Sequence, residues 1–245
     1  MKSLVLLAVA LVVTAGASPQ GQTPPSDAVK QLRSESYNDR AVALERIARS
    51  SALRNDPDVR NEVLQEALRF ERHRPKEVDA HAGAEYELQL VRTVASLGTR
   101  EGLPYLVRRV GGNPDAQHGI ARFGQSAVPL LVNNYQSPEA VDPGLLRMGA
   151  LMTLAEIVTT QSVSQSVRTQ LRGIAGSAMR DADFGVVLGA MDLVMALGDI
   201  ELRGDIQSLA NGWRLNPAVS DSHLKLLQKK AQELIGKIPG QPPAQ

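Results

Sequence analysis

Glu77, His81 and Glu85 are spaced by four, so on a helix they fall on one face over two turns. An imidazole between two carboxylates makes a candidate site for a divalent metal, with water completing the shell. Lys76, Asp79 and Glu87 stand close by, which is the company of a solvated helix face. A zinc site draws on three or four converging ligands, and no HExxH spacing supplies the missing ones. The solvated face is the preferred reading, so no metal site is assigned, and Glu77, His81 and Glu85 stand only as candidate ligands. No catalytic or cofactor-binding residue is assigned, and no cofactor is expected.

Other reactive types stand apart from one another. His73, His118 and His223 are isolated in sequence and read as surface or helix-end residues. Ser126, after Phe123-Gly-Gln, lacks the trailing glycine of a nucleophile elbow. Gly111-Gly112 before Asn113-Pro114 lacks the Lys-Ser/Thr pair of a phosphate loop and reads as a turn into a helix. The densest basic cluster is Arg69, Arg72, His73, Arg74 and Lys76. Glu66, Glu71 and Glu77 interleave with it, so it reads as a salt-bridged solvated surface, as does the shorter Arg108-Arg109. Trp213, between two helical stretches, reads as a core plug.

The bulk properties narrow the function classes. Met1-Lys2-Ser3, an apolar run from Leu4 to Val13, and Thr14-Ala15-Gly16-Ala17 form the three parts of a secretory signal peptide over residues 1–17. The apolar run falls short of the roughly 20 residues needed to span a bilayer. Cleavage after Ala17 places the protein in the periplasm or outside the cell, with no membrane span left. Lys2 is the one charged residue removed. The 27 basic and 26 acidic residues of the whole chain thereby become equal in number. Nucleic-acid binding, which relies on a basic excess, is not expected. There is no Cys, so stability outside the cytoplasm rests on a hydrophobic core without disulfides.

The elements that position these residues are helices. Residues 18–26 and 237–245 are Pro- and Gln-rich and read as a disordered lead-in and tail. Asp56-Pro57, Asn113-Pro114, Ser137-Pro138, Asp142-Pro143 and Asn216-Pro217 each set a capping side chain before a proline suited to the first helical position. Apolar stripes at helical spacing follow: Val59, Val63, Leu64, Ala67 and Leu68; Leu146, Ala150, Leu154 and Ile157; Leu224, Leu227, Ala231 and Leu234. Ala41, Leu44, Ile47 and Ala48 form an earlier stripe, and residues 72–97 read as one long helix. Aromatic residues are few and no alternating strand pattern is present, so the fold class is all-α.

A short step recurs: Val94-Ala-Ser-Leu-Gly98, Ile120-Ala-Arg-Phe-Gly124 and Val194-Met-Ala-Leu-Gly198 each end a helix on glycine, with a new amphipathic segment soon after. Phe123-Gly-Gln-Ser-Ala-Val-Pro-Leu-Leu-Val132 with Arg147-Met-Gly-Ala-Leu-Met-Thr-Leu-Ala155 resembles the HEAT-repeat family. So does Met179-Arg-Asp-Ala-Asp-Phe184 with Ala190-Met-Asp-Leu-Val-Met-Ala-Leu-Gly198, and more weakly Leu32–Ser36 with Arg40–Ala48. Arg40 and Arg147 stand where that family has an arginine starting its second helix, and Asp181 and Asp183 where it has a turn aspartate. The resemblance spans residues 27–236 with irregular spacing: Gly98 and Gly124 are 26 residues apart, against roughly 40–47 for a regular unit.

The resemblance implies a right-handed superhelical α-solenoid of stacked antiparallel helix pairs, HEAT-like or ARM-like. The expected function is that of a non-catalytic, monomeric scaffold binding a protein partner along its concave face. The competing readings are an enzyme or metal-binding protein with Glu77, His81 and Glu85 in that groove, and a structural envelope component tethered by its tails.

Overall fold

The computed structural model describes residues 24–72, 80–136 and 142–236. Among these the chain forms only helices and connecting turns. They are α1 (Pro25–Leu32), α2 (Tyr37–Arg49), α3 (Ser51–Asn55), α4 (Pro57–Arg72), α5 (Ala80–Leu97), α6 (Leu103–Val107), α7 (Pro114–Ala121), α8 (Val128–Gln136), α9 (Pro143–Thr160), α10 (Gln165–Ala178), α11 (Phe184–Leu197), α12 (Ile200–Ala210) and α13 (Asp221–Ile235). Two 3₁₀ turns, Arg100–Gly102 and Gly124–Ala127, lead into α6 and α8. The all-α reading holds.

Several helix ends form as their residues dictate. The Asn113 and Asp142 side chains accept the amides of Ala116 and Leu145, and Asp56 accepts those of Asp58 and Val59, each just before a proline. Asn216-Pro217 departs from this pattern. It forms a turn in which Asn216 donates to the Arg180 carbonyl and accepts from Ala218, and α13 starts later, capped by Ser220. Gly98, Gly124 and Gly198 all adopt left-handed backbone, with φ of 63, 56 and 69°. The first helix begins at Pro25, inside the stretch whose composition reads as lead-in. Of the long helix expected over 72–97, α5 describes Ala80–Leu97. The signal segment 1–17, the tail 237–245 and Ser137-Pro138 lie outside the described residues.

One set of helices packs in succession: α2 on α5, α5 on α7, α7 on α9, α9 on α11 and α11 on α13. Pairs of contacts fix their directions. Tyr37 meets Tyr86, and the Thr93 hydroxyl donates to the Leu44 carbonyl. Arg92 meets Asp115, and Ala95 lies against Gly119. Val110, leading into α7, lies against Gly149, and His118 approaches Glu156. Asp183 abuts Gly144, and Gly189 lies against the Met148 and Leu151 backbone and side chain. Phe184 stacks on His223, and Asp192 pairs with Lys230. In each case the two contacts advance in the same direction along both helices, so the six helices run the same way. The remaining helices pack beside them, α4 on α5, α8 on α9, α10 on α11 and α12 on α13.

The core lies between these helices and includes fully buried Leu44, Ile47, Leu90, Ile120, Leu154 and Met179. The stripes on α2, α4, α9 and α13 point inward as expected, except that Leu68 is exposed and Ala41, Ala48, Leu64, Leu146 and Leu224 are half-buried. Backbone approaches backbone tightly at α9. A methyl group built on Gly149 would sit 2.2 Å from the Val110 carbonyl oxygen, so only glycine lets α9 touch that backbone. Among the described residues no helix is long and apolar enough to cross a membrane.

Candidate functional site

Two of the three metal-ligand candidates are described. His81 Nε2 lies 3.2 Å from Glu85 Oε1 on α5, and both side chains are exposed. Glu77 lies outside the described residues. Among the described residues no group of three His, Cys, Asp or Glu side chains is placed to hold a metal ion. Glu85 does line a groove of about 310 Å³ between α2 and α5. Val42, Ala41 and Ala82 form its apolar wall, Tyr37 and Tyr86 close one end, and Glu45 and Glu85 give it an acidic rim.

Behind this groove lies an ionic cluster that includes Glu66 and Arg69, two residues whose alternating charges read as a solvated surface. Glu62 and Glu66 on α4 are buried. Arg69 reaches both at 2.9 Å, Arg33 from the end of α1 reaches Glu62 at 2.7 Å, and Arg40 from α2 reaches Glu66 at 3.2 Å. The Tyr86 hydroxyl donates to Glu66 at 2.6 Å. Burial alone would raise the Glu62 carboxyl's pKa, but hydrogen bonds and charge from Arg33 and Arg69 outweigh it and hold the group below its ordinary range. The Tyr86 phenol is pushed the other way, first by burial and then by Glu66, so it stays neutral. Every one of these groups is engaged across α1, α2, α4 and α5. The correction has a simple cause, since the partners Arg33 and Arg40 lie 29 and 26 residues from Glu62 and Glu66.

The other singled-out residues fall into place around the helices. Arg108 and Arg109 both bind Glu71, at 2.8 and 2.6 Å, and Arg109 also binds Glu87. Arg109 stacks over the Tyr105 ring at 3.9 Å. Burial would raise the Glu71 carboxyl too, and the two arginines hold it below its ordinary range. Arg147 does meet Asp181, at 2.5 Å, and Asp183 caps α11 through the amides of Gly185 and Val186. Ser126 only donates to the Phe123 carbonyl. Gly111 packs against the Leu145 and Leu146 backbone, consistent with a turn. His73, Arg74 and Lys76 lie outside the described residues.

Trp213 is corrected. Its side chain is 71% exposed. Left-handed Gly212 ends α12, with the Gly212 amide bonded to Leu209 and that of Trp213 to Ser208, and this turn directs the indole outward instead of into the core.

No protein family, curated protein or solved structure matches the chain. The geometry alone therefore carries the functional reading. Its most distinctive feature is one face of the successive helices, which spacing alone did not reveal. On α5, Leu88 precedes Arg92 by one turn; on α9, Met152 precedes Glu156; on α11, Leu188 precedes Asp192; on α13, Leu226 precedes Lys230. The charged members pair with neighbouring helices as Arg92–Asp115, His118–Glu156 and Asp192–Lys230. Beside them stands an apolar row, interrupted at α7 where Pro114 precedes His118, in which Leu88, Met152 and Leu226 are 50, 36 and 52% exposed.

Proposed function

We propose that this protein is an exported, non-catalytic HEAT-like scaffold that binds a protein partner along the face carrying Leu88, Met152, Leu188 and Leu226. The observation behind the reading is that apolar row, set beside charges already paired across neighbouring helices. Laced charges hold a surface in shape, and exposed aliphatic side chains between them supply area for a partner to bury.

The repeat reading is supported by the spacing of matched contacts. Val110 to Gly149 and Gly144 to Asp183 are 39 residues apart, as are Phe184 and His223. His118 to Glu156 and Asp192 to Lys230 are 38 apart. This recurrence is close to the roughly 40 residues of a HEAT unit, although the step from Arg92 to Asp115 is only 23. A succession of parallel helices, each backed by a helix of the other set, accords with stacked pairs winding into a right-handed solenoid. Export rests on the pattern of residues 1–17, and the protein is taken as a monomer that binds no nucleic acid.

In-cell crosslinking in the source organism, with mass analysis of the purified chain, tests the reading. A chain starting at Ser18 and crosslinked to one recurrent protein is expected. A chain retaining Met1 in the cytoplasm, or one that crosslinks to nothing in the exported fraction, would overturn it.

A further inference from the structure

The helices α9 and α11 are predominantly apolar, yet one strip of each meets solvent. Between Phe184 and Leu197 the only charged residue is Asp192. A helix of that composition is ordinarily enclosed by protein. Here Leu145 and Met152 are exposed, and Met148, Phe184 and Leu188 are half-buried. Met148 bridges the two strips, its Sδ lying over Gly185 at a distance where an added Cβ would be 3.3 Å away. The result is a shallow Leu/Met/Phe surface, and methionine lets such a surface adapt to a partner's shape.

On α9, α11 and the turns that lead into them carboxylates are in excess, while the neighbouring α13 brings His223 against Phe184 and Lys230 against Asp192. The segments 142–160 and 181–197 hold five carboxylates, on Asp142, Glu156, Asp181, Asp183 and Asp192, and one basic residue, Arg147. Arg147 is spent on Asp181, and Lys230 of α13 answers Asp192 at 3.0 Å. Among the described residues Glu156 has His118 as its charged neighbour, at 3.9 Å. Glu156 also lies near the carboxyl-terminal end of α9, where the helix dipole adds negative potential. We infer that the α9–α11 surface is the seat of a cationic amphipathic helix of the partner, with leucine-type side chains on Met148, Met152 and Leu188 and lysines or arginines toward Glu156 and Asp192. The inference rests on the protein-binding reading and specifies the partner's chemistry.

Fluorescence anisotropy with the mature chain and two synthetic amphipathic peptides tests it, one of Leu and Lys and one of Leu and Glu in the same pattern. The Leu/Lys peptide is expected to bind at least about tenfold more tightly, and added salt should weaken it. Met152→Lys, at an exposed position, should weaken that binding about tenfold or more, and the Glu156→Gln/Asp192→Asn double variant should remove the preference over Leu/Glu. Leu130→Lys on α8 should leave binding unchanged. Equal affinity for both peptides, no binding, or binding indifferent to Met152→Lys would overturn the inference. So would a chain dimer that Met152→Lys dissociates, since the occupant would then be a second copy. In-cell partner crosslinks that persist while the Leu/Lys peptide fails would discard this chemistry and leave the binding reading intact.

Discussion

Replacing Gly149 with alanine separates two physical expectations by sign. Gly149 lies inside α9, where alanine is favoured over glycine by about 1 kcal/mol on helix propensity alone. The added Cβ, however, would meet the Val110 carbonyl oxygen at 2.2 Å, its carbon at 2.6 Å and the Gly111 Cα at 2.9 Å. All three are backbone atoms, so no side-chain rotation relieves the contact and α9 must move away from the turn that leads into α7. Overpacking of this kind costs about 3 kcal/mol, leaving a net loss of about 2 kcal/mol. For a chain of this length that lowers the melting temperature by about 4–8 °C. Gly173, in the middle of α10, has nothing within 4 Å of its would-be Cβ. Gly173→Ala should therefore gain the propensity term, about 1 kcal/mol, and raise the melting temperature by about 2–4 °C. Thermal melts followed by far-ultraviolet circular dichroism read both variants directly. If Gly149→Ala stabilises as Gly173→Ala does, the close approach of α9 to the Val110–Gly111 backbone is wrong, and with it the succession of helices.

Further perturbations probe the interior and its charges. Glu66→Ala should destabilise by about 3 kcal/mol in urea titration, because it strips the buried carboxylate from Arg40, Arg69 and the Tyr86 hydroxyl. Tyr86→Phe, which removes one hydrogen bond, should cost only about 1 kcal/mol. Glu62 and Glu71 are held below their ordinary value of 4.5, so the unfolded chain takes up protons first on acidification. Their contribution is complete above that value and is lost as pH falls through the lower folded pKa values. The urea midpoint should drop below about pH 4.5, and a Glu62→Gln/Glu71→Gln variant should show a shallower drop; an unchanged slope would contradict the pairing. Leu154→Asp or Ala190→Asp puts a charge at a position with no solvent exposure and should abolish the cooperative melt, whereas Leu226→Asp should shift stability by no more than about 0.5 kcal/mol.

The sequence was most readable where structure is decided locally. Asn113 and Asp142 announce their caps because the side chain, the following proline and the amides they satisfy all lie within a few residues. Gly98 and Gly198 likewise mark helix ends through their own backbone freedom, and Gly124 opens the 3₁₀ turn into α8 by the same means. Asn216-Pro217 looked the same but became a turn, because its side chain found the distant Arg180 carbonyl. Glu62 and Glu66 could not be recognised as buried from the alternating charges around them, since burial depends on arginines delivered by α1 and α2. On α11 the periodicity signal vanishes because the helix is apolar nearly all round; on α9 the inward stripe of Leu146, Ala150, Leu154 and Ile157 was legible, but the exposed Met152 strip beside it was not. Trp213 misled because size and hydrophobicity argue for the core, while the Gly212 turn that expels it is a detail of backbone conformation. Of the proposed metal ligands, His81 and Glu85 did come together, but as an exposed one-turn pair.

The binding face itself is open to a direct measurement. A photo-crosslinking amino acid placed in turn at Leu88, Met152 and Leu226, and at Leu68 and Leu130 on helices of the other set, reports which side meets the partner in the native compartment. All five positions are exposed, so labelling efficiency is comparable at the outset. One recurrent protein adduct from Leu88, Met152 and Leu226, with none from Leu68 and Leu130, is the expected result. Adducts arising equally from both sets, or only from Leu68 and Leu130, would contradict a partner-binding face built on α5, α9, α11 and α13.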